Sequence, residues 1–238
     1  MINKEALKKA IEIISLYAPG AGWNFDSNLE HLNTITKYIP KNVYVFDAGC
    51  GTGVLALALI FLGYKVEAGD RHIIENIKKI WDNYGLRVKN IDILRDDIGK
   101  KYGAVVSIAT IEHQANPKLF LNKLKEMAVD GGYIYVATPN ITHLLNRIRF
   151  LFGRPPQSNL EEFFEEENFV GHWREYTLDE LKKMFEWSNI KIIEAKNRQE
   201  TKPKINFKRL RDIYVNLFRF LSCFLPGTGD ANIILGRK

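Results

Sequence analysis

Cysteine is almost absent: Cys50 and Cys223 are the only two in a chain of 238 residues. They form neither a disulfide framework nor a CxxC metal signature, so a reducing, cytoplasmic setting is expected. Long apolar runs are missing too. The longest strictly apolar stretch, Val54–Leu62, falls well short of the ~20 residues that span a bilayer. The N-terminus, "MINKEALKKAIEIISLYAPG", is charged from its first turns and lacks the apolar stretch of a secretion signal. A soluble chain is expected, at most peripheral to the inner face of the membrane. No repeat or low-complexity tract interrupts it, so it reads as one large domain, or one core with a substantial insertion.

What is present supports a folded core. Apolar residues make up 46% and aromatics 12% of the chain, which argues against global disorder. Lys and Arg outnumber Asp and Glu by 34 to 28, a net +6. That balance suits an anionic cofactor, a nucleic acid or an acidic membrane surface, and does not choose among them.

Residues 4–17 carry Leu7, Ala10, Ile11 and Ile14 at helical spacing and stop at Pro19-Gly20; a second helix is predicted from Asp26 or Ser27 to Tyr38. Strands are then expected at 43–48, 64–68, 88–93, 104–109 and 133–138, with helices at 53–62, 73–84 and 117–128. Such alternation implies a parallel sheet with helices on both faces, where ligands bind beyond the carboxyl ends of the strands. Thr177 with Glu180 three residues on reads as a capping box. Two final strands, "IKIIEA" and "ANIILGRK", are joined by a long basic stretch, and an antiparallel hairpin at the sheet edge is predicted.

The glycine loop after the first strand reads Asp47-Ala48-Gly49-Cys50-Gly51-Thr52-Gly53. Glycines let the backbone turn sharply and approach a ligand, and the next helix offers free N–H groups. Asp70 lies roughly 20 residues on, where a carboxylate accepts from ribose hydroxyls. A nicotinamide loop wants glycine or alanine where Val54 stands. An acid at position 47 repels a pyrophosphate but suits a ligand with a cationic amino group.

These residues resemble the DxGxGxG motif of class I S-adenosylmethionine-dependent methyltransferases. "LRDDI" resembles the acidic segment after the third strand. "VVSIATIEHQANPKLFLNKLKEMAVDGGYIYVATPN" and "GHWREYTLDELKKMFEWSNIKIIEA" resemble the quinone-biosynthesis and polysaccharide-cluster branch. The likeness covers residues 43–140 and 171–195. It implies a Rossmann-like, doubly wound α/β fold: a mostly parallel seven-stranded sheet with an antiparallel C-terminal edge hairpin. An N-terminal helical cap (1–40) would precede the methyltransferase domain (41–238), which carries a helical lid insertion (141–176). The cofactor implied is S-adenosylmethionine, leaving as S-adenosylhomocysteine. Asp47, Gly49, Cys50, Gly51 and Gly53 would hold its methionine part and Asp70 its ribose; Arg71 and Ala109 are further cofactor candidates, and Asp96 or Asp97 either meets its adenine or lies on a solvated loop.

Methyl transfer from a sulfonium needs alignment and, for a hydroxyl acceptor, a base. Glu112 and His113 follow the fourth strand directly. Either His113 takes a proton near neutral pH with Glu112 orienting it, or His113 only packs beneath the cofactor. His172, with Arg174 and Tyr176, is the lid's candidate for acceptor contact. The resembled branch carries Glu-x-x-Glu-His here, a divalent-metal pattern. Ala109 replaces its first glutamate, so no metal is expected. The (Asn/Asp)-Pro-Pro-(Tyr/Phe) segment of nucleic-acid amino-methyltransferases is replaced by Thr110-Ile111-Glu112-His113, which disfavours nucleic acid. The lid "EEFFEEENF" either excludes water over the site or covers the sheet edge.

The expected activity is methylation of a small-molecule, lipid-linked or saccharide acceptor at oxygen. The alternatives are an RNA methyltransferase and a non-catalytic cofactor-binding regulatory protein. Between the last two strands, the basic amphipathic segment 198–226 repeats Phe207, Leu210, Ile213, Tyr214, Leu217, Leu221 and Phe224 at helical spacing. Its part 207–225 either contacts an anionic membrane or packs on its own domain. Nothing in the sequence speaks to oligomeric state.

Overall fold

A computed structural model describes residues 1–22, 25–155, 160–165, 169–198, 220 and 225–238. The basic stretch expected to be amphipathic at 207–225 therefore lies outside the described residues, apart from Phe220 and Leu225. Among the described residues, no helix is long and apolar enough to cross a membrane.

Two N-terminal helices, α1 (Ile2–Ser15) and α2 (Phe25–Tyr38), precede β1 (Tyr44–Ala48), α3 (Val54–Phe61), β2 (Lys65–Asp70), α4 (Glu75–Asn83) and β3 (Arg87–Asn90). Then come β4 (Tyr102–Ile108), a single 3-10 turn (Ile111–His113), α5 (Pro117–Met127) and β5 (Ala128–Pro139). Helices α6 (Leu144–Leu151) and α7 (Leu160–Glu165) follow. The chain ends with α8 (Leu178–Trp187), β6 (Lys191–Arg198) and β7 (Ala231–Arg237).

The seven strands form one sheet in the order β3-β2-β1-β4-β5-β7-β6. Strands β1 to β5 pair in parallel, while β7 runs antiparallel to both β5 and β6. The expected antiparallel edge pair is present, with β7 lying between β5 and β6 and β6 at the edge. The strand order reverses between β1 and β4, which opens a crevice at their carboxyl ends.

The period-2 alternation along each strand feeds two cores. Val45, Val106, Tyr135 and Leu235 face α1 to α4, while Phe46, Val105, Ile134 and Ile234 face α5 and α8. Helix α3 is apolar on every side and buried from Val54 to Leu59, so it needs a cover on its outer face as well as on the sheet side. The apolar stripe Leu7, Ala10 and Ile14 of α1 joins it in one cluster. Burial of a leucine or isoleucine contributes about 1.5–3 kcal/mol, which is why the N-terminal helices stay docked. A hydrogen bond between His31 Nδ1 and the Tyr135 hydroxyl (2.8 Å) ties α2 to β5. Helix α5 starts where Asn116 Oδ1 accepts from the Leu119 N–H (3.0 Å), with Pro117 at its first turn. The predicted capping box of α8 is formed in full: Thr177 Oγ1 accepts from Glu180 N–H, and Glu180 Oε2 accepts from Thr177 N–H.

Candidate active site

The crevice is built on the turn after β1. Gly49 and Gly51 have φ of 81° and 53°, left-handed backbone that glycine adopts without strain. At Gly49 a Cβ would also come within 2.5 Å of Thr110 Oγ1, whereas at Gly51 nothing lies within 4 Å. The first glycine lets the β4 loop close in, and the second faces open space. Gly49 N–H donates to Gly69 O (2.8 Å), which pins the turn to β2. From behind, Trp81 of α4 donates its Nε1–H to Thr52 O (3.1 Å). Gly53 is the N-cap of α3 with no side-chain cap, and the first helical residues Val54 and Leu55 line the crevice.

Asp70, the last residue of β2, accepts from Gly51 N–H at Oδ2 (2.8 Å) and from His72 N–H at Oδ1 (2.9 Å). Each oxygen keeps a lone pair for a further donor. Asp47 is buried, and among the described residues no cation pairs with it. Burial, reinforced by the nearby Asp70, pushes its pKa up to about 7. A buried carboxylate beside a second one fits a ligand that brings a positive charge. Burial and the same two carboxylates push the Cys50 thiol up as well and keep it protonated.

Two adjacent hollows flank the loop. One, about 550 Å³, is lined by Asp47, Cys50, Thr52, Asn28 and the α1–α2 turn Ala18–Gly22. The other, about 280 Å³, is lined by Asp70, Arg71, Asp92, Thr110, His113 and Val170. Gly49, Gly51 and Ala109 border both. Ala109 has a φ of 51°, a conformation that costs an alanine about 1 kcal/mol and turns the chain sharply out of β4.

Asp47, Gly49, Cys50, Gly51, Asp70, Arg71, Ala109 and His113 thus come together around one crevice. Asp96 and Asp97 do not. They line a separate surface hollow with Lys100, Lys101 and Lys123. Asp96 accepts from Asp92 N–H and Asp97 from Gly99 N–H, so both serve loop turns. The acid that reaches the crevice is Asp92, beside Ile91 and Ile93. Strand β3 was expected to continue to Ile93; it stops at Asn90 because Asp92 turns the chain, its Oδ1 accepting from Leu94 N–H (3.0 Å). Asn28 and the turn Ala18–Gly22 were also missed as site residues. Their sequence signal, "APGAG", says turn and nothing about what the turn covers.

Glu112 is fully buried. Its Oε2 accepts from Thr138 Oγ1 (2.9 Å), and its backbone carbonyl accepts from Trp173 N–H (2.8 Å). Burial raises its pKa despite the hydrogen bonds and the two neighbouring histidines. His113 Nδ1 lies 2.7 Å from Val170 O and 3.2 Å from Gly171 O. Carbonyls only accept, so Nδ1 carries a hydrogen, and in the neutral ring Nε2 then keeps the lone pair. His172 is brought alongside, its ring 4.8 Å from that of His113 and edge-on to it. Its Nδ1 pairs with Glu175 Oε1 (2.9 Å), a bond that raises its pKa against its partial burial, with Glu112 adding to the rise. Arg174 instead pairs with Glu180, and Tyr176 is buried next to Asn140. Phe163 of α7 packs edge to face with Phe169 and Trp173 from the chain between α7 and α8.

Residues 22–195 match a family model described as a methyltransferase domain. The chain belongs to that family. It is a class I S-adenosylmethionine-dependent methyltransferase, and its sheet order is that of the fold. A ubiquinone biosynthesis O-methyltransferase of Rickettsia prowazekii is 26% identical over 246 residues, covering 92% of this chain and 90% of its own length. The mitochondrial ubiquinone biosynthesis O-methyltransferase of Dictyostelium discoideum is 30% identical over 122 residues, which is 44% of this methyltransferase and 37% of the relative. For a Chelativorans relative of the same name the share is 42%. The chain thus aligns with less than half the length of these two relatives. Among solved structures, the Burkholderia thailandensis 1,6-didemethyltoxoflavin-N1-methyltransferase, with S-adenosylhomocysteine bound, has a TM-score of 0.62 at 12% identity, covering 96% of this chain and 86% of its own. The Synechocystis magnesium protoporphyrin IX methyltransferase has 0.56 at 14%, covering 92% and 83%. At those identities the likeness shows the fold.

Proposed function

We propose that this methyltransferase transfers its methyl group to an oxygen of a small-molecule, lipid-linked or saccharide acceptor. S-adenosylmethionine supplies a methyl already activated on a sulfonium. Asp47 and the glycine-loop N–H groups hold the cofactor's amino-acid part, Asp70 its ribose, and Asp92 with Ile93 its adenine. The turn Ala18–Gly22 shields the amino-acid part from water. The acceptor sits between Ala109–Gln114 and Val170. A bond forms between acceptor oxygen and methyl carbon, the sulfur–methyl bond breaks with its electron pair going to sulfur, and the acceptor's proton passes to the Glu112–His113–His172 cluster.

The observation that carries this reading is the placement of His113: the residue lines the crevice, and its Nδ1 is within hydrogen-bond reach of two backbone carbonyls, which in the neutral ring leaves the lone pair on Nε2. The Rickettsia relative's name gives the same acceptor atom. The test is incubation of purified protein and S-adenosylmethionine with metabolite pools divided into polar, sugar-linked and lipid-linked fractions, products being read by mass spectrometry. An O-methyl product is expected, and His113→Ala should lower kcat about 100-fold or more with cofactor affinity unchanged. An N-methyl product, or methyl incorporation into RNA alone, would overturn it.

A further inference from the structure

Ala109 removes a carboxylate from the metal pattern of the resembled branch, and reading the sequence alone stops there. The fold adds a donor from elsewhere. One ligand atom each from Glu112, His113 and His172 lies within 4.8 Å of the others. Three local features point the same way. Glu112 Oε1 is buried with no hydrogen-bond partner among the described residues, a costly state for a carboxylate oxygen. His113 Nδ1 donates to backbone carbonyls and His172 Nδ1 to the Glu175 carboxylate, so in the neutral rings each Nε2 carries a lone pair, with no hydrogen-bond partner among the described residues. An imidazole whose other nitrogen donates to a carbonyl or carboxylate is the usual arrangement of a metal-bound histidine.

We propose that Glu112, His113 and His172 bind one divalent transition-metal ion on the crevice wall, with His172 as the ligand that replaces the missing glutamate. Two imidazole nitrogens and one carboxylate oxygen suit zinc, iron(II), cobalt(II) or manganese; magnesium and calcium prefer oxygen throughout. With metal–ligand bonds near ~2.1 Å, tetrahedral donors stand about 3.4 Å apart. The set therefore has to close by at most about 1.4 Å, within the reach of side-chain rotation. Three protein ligands leave a coordination position open, and such an ion lowers the pKa of a bound oxygen. This deepens the proposed function at the same cluster and rests on that reading for its purpose: Glu112, His113 and His172 would still activate the acceptor oxygen, through the ion they hold.

A second consequence concerns the lid. Glu112 and His113 follow β4, whereas His172 and Glu175 belong to the chain returning from the insertion. The two segments already clasp through Trp173 N–H on Glu112 O and His113 on Val170 O. The ion would cross-link them.

Chelator-stripped protein titrated with cobalt(II) tests the site directly, without acceptor. Saturable visible d–d absorption at one ion per chain is expected, displaced by zinc. His172→Ala and Glu112→Gln should weaken binding at least tenfold, and Glu175→Gln, which leaves all three ligands, about 10-fold or more. Amide exchange over residues 169–176 should slow when the ion is added. Circular dichroism reports whether each variant folds; should His172→Ala fail to, Glu175→Gln carries the test. Absence of saturable binding to the parent chain, or unchanged affinity in a folded ligand variant and in Glu175→Gln, would overturn the site. Calorimetry with S-adenosylhomocysteine on the same preparation separates the two readings. Retained cofactor binding without ion binding sinks the metal site alone, and lost cofactor binding sinks the cofactor assignment.

Discussion

Asp47 works against the empty protein. Its folded pKa of about 7 stands above the unfolded value near 3.9. The cost of ionising it in the fold is therefore absent below about pH 4 and grows as pH rises to about 7. Linkage sets that cost at no more than about 4 kcal/mol, and a crevice that admits water reduces it. Asp47→Asn should stabilise the ligand-free chain at pH 8 by about 2 kcal/mol, a rise of roughly 4–8 °C in Tm. The same substitution should weaken S-adenosylhomocysteine. For the parent chain, affinity should climb up to tenfold per pH unit between pH 5 and about 7 and then level off, because the carboxylate must ionise to hold an ammonium group. In Asp47→Asn the curve should be flat. Calorimetry across that range decides it, and a parent curve without slope would remove Asp47 from cofactor binding. The conflict was visible in the sequence as an acid before a glycine loop. Its size was not, because burial and the nearness of Asp70 depend on how β1 and β2 pair.

Between elements, a buried carboxylate does the opposite. Glu67, in the middle of β2, accepts from Tyr102 of β4 (2.6 Å), Tyr44 of β1 (2.7 Å) and Lys100 (3.2 Å). Burial alone would raise its pKa; those hydrogen bonds and the Lys100 charge override burial and hold it down to about 2. Its stabilisation is present above the unfolded pKa near 4.3 and is lost as pH falls through about 2. Glu67→Gln should cost about 2 kcal/mol at pH 7, with the penalty fading below about pH 4; urea melts at pH 7 and pH 3 would show it, and equal losses at both would sink the assignment. The capping box of α8 gives a smaller, pH-independent effect: Thr177→Ala should cost about 1 kcal/mol, read as a Tm drop of roughly 2–4 °C. The box and most helices were legible because caps and periodicity are local in sequence. The place of β7 was not, since two apolar strands joined by a long segment do not say which of them reaches β5. Nor was the end of β3, where one side-chain hydrogen bond at Asp92 decides the turn and with it which acid meets the crevice.

At the scale of the molecule, the crevice belongs to no single stretch of chain. The turn Ala18–Gly22, Asn28, the glycine loop, the β2, β3 and β4 loops and Val170 meet there from stretches far apart in the chain. The glycine loop announced itself by composition. The other walls are ordinary turns, brought together because α1 must cover the all-apolar α3 and because the insertion returns over Glu112. Cofactor binding should therefore tighten parts of the molecule distant in sequence. A ligand at 100 times its Kd adds about 2.7 kcal/mol to folding, so S-adenosylhomocysteine should raise Tm by roughly 5–10 °C at pH 7.5. The shift should be smaller at pH 5.5, where Asp47 is largely protonated in the empty fold. Amide exchange should slow at residues 18–22 as well as at 49–54. Protection of the glycine loop without the 18–22 turn would mean that the N-terminal helices only cover α3 and take no part in holding the cofactor.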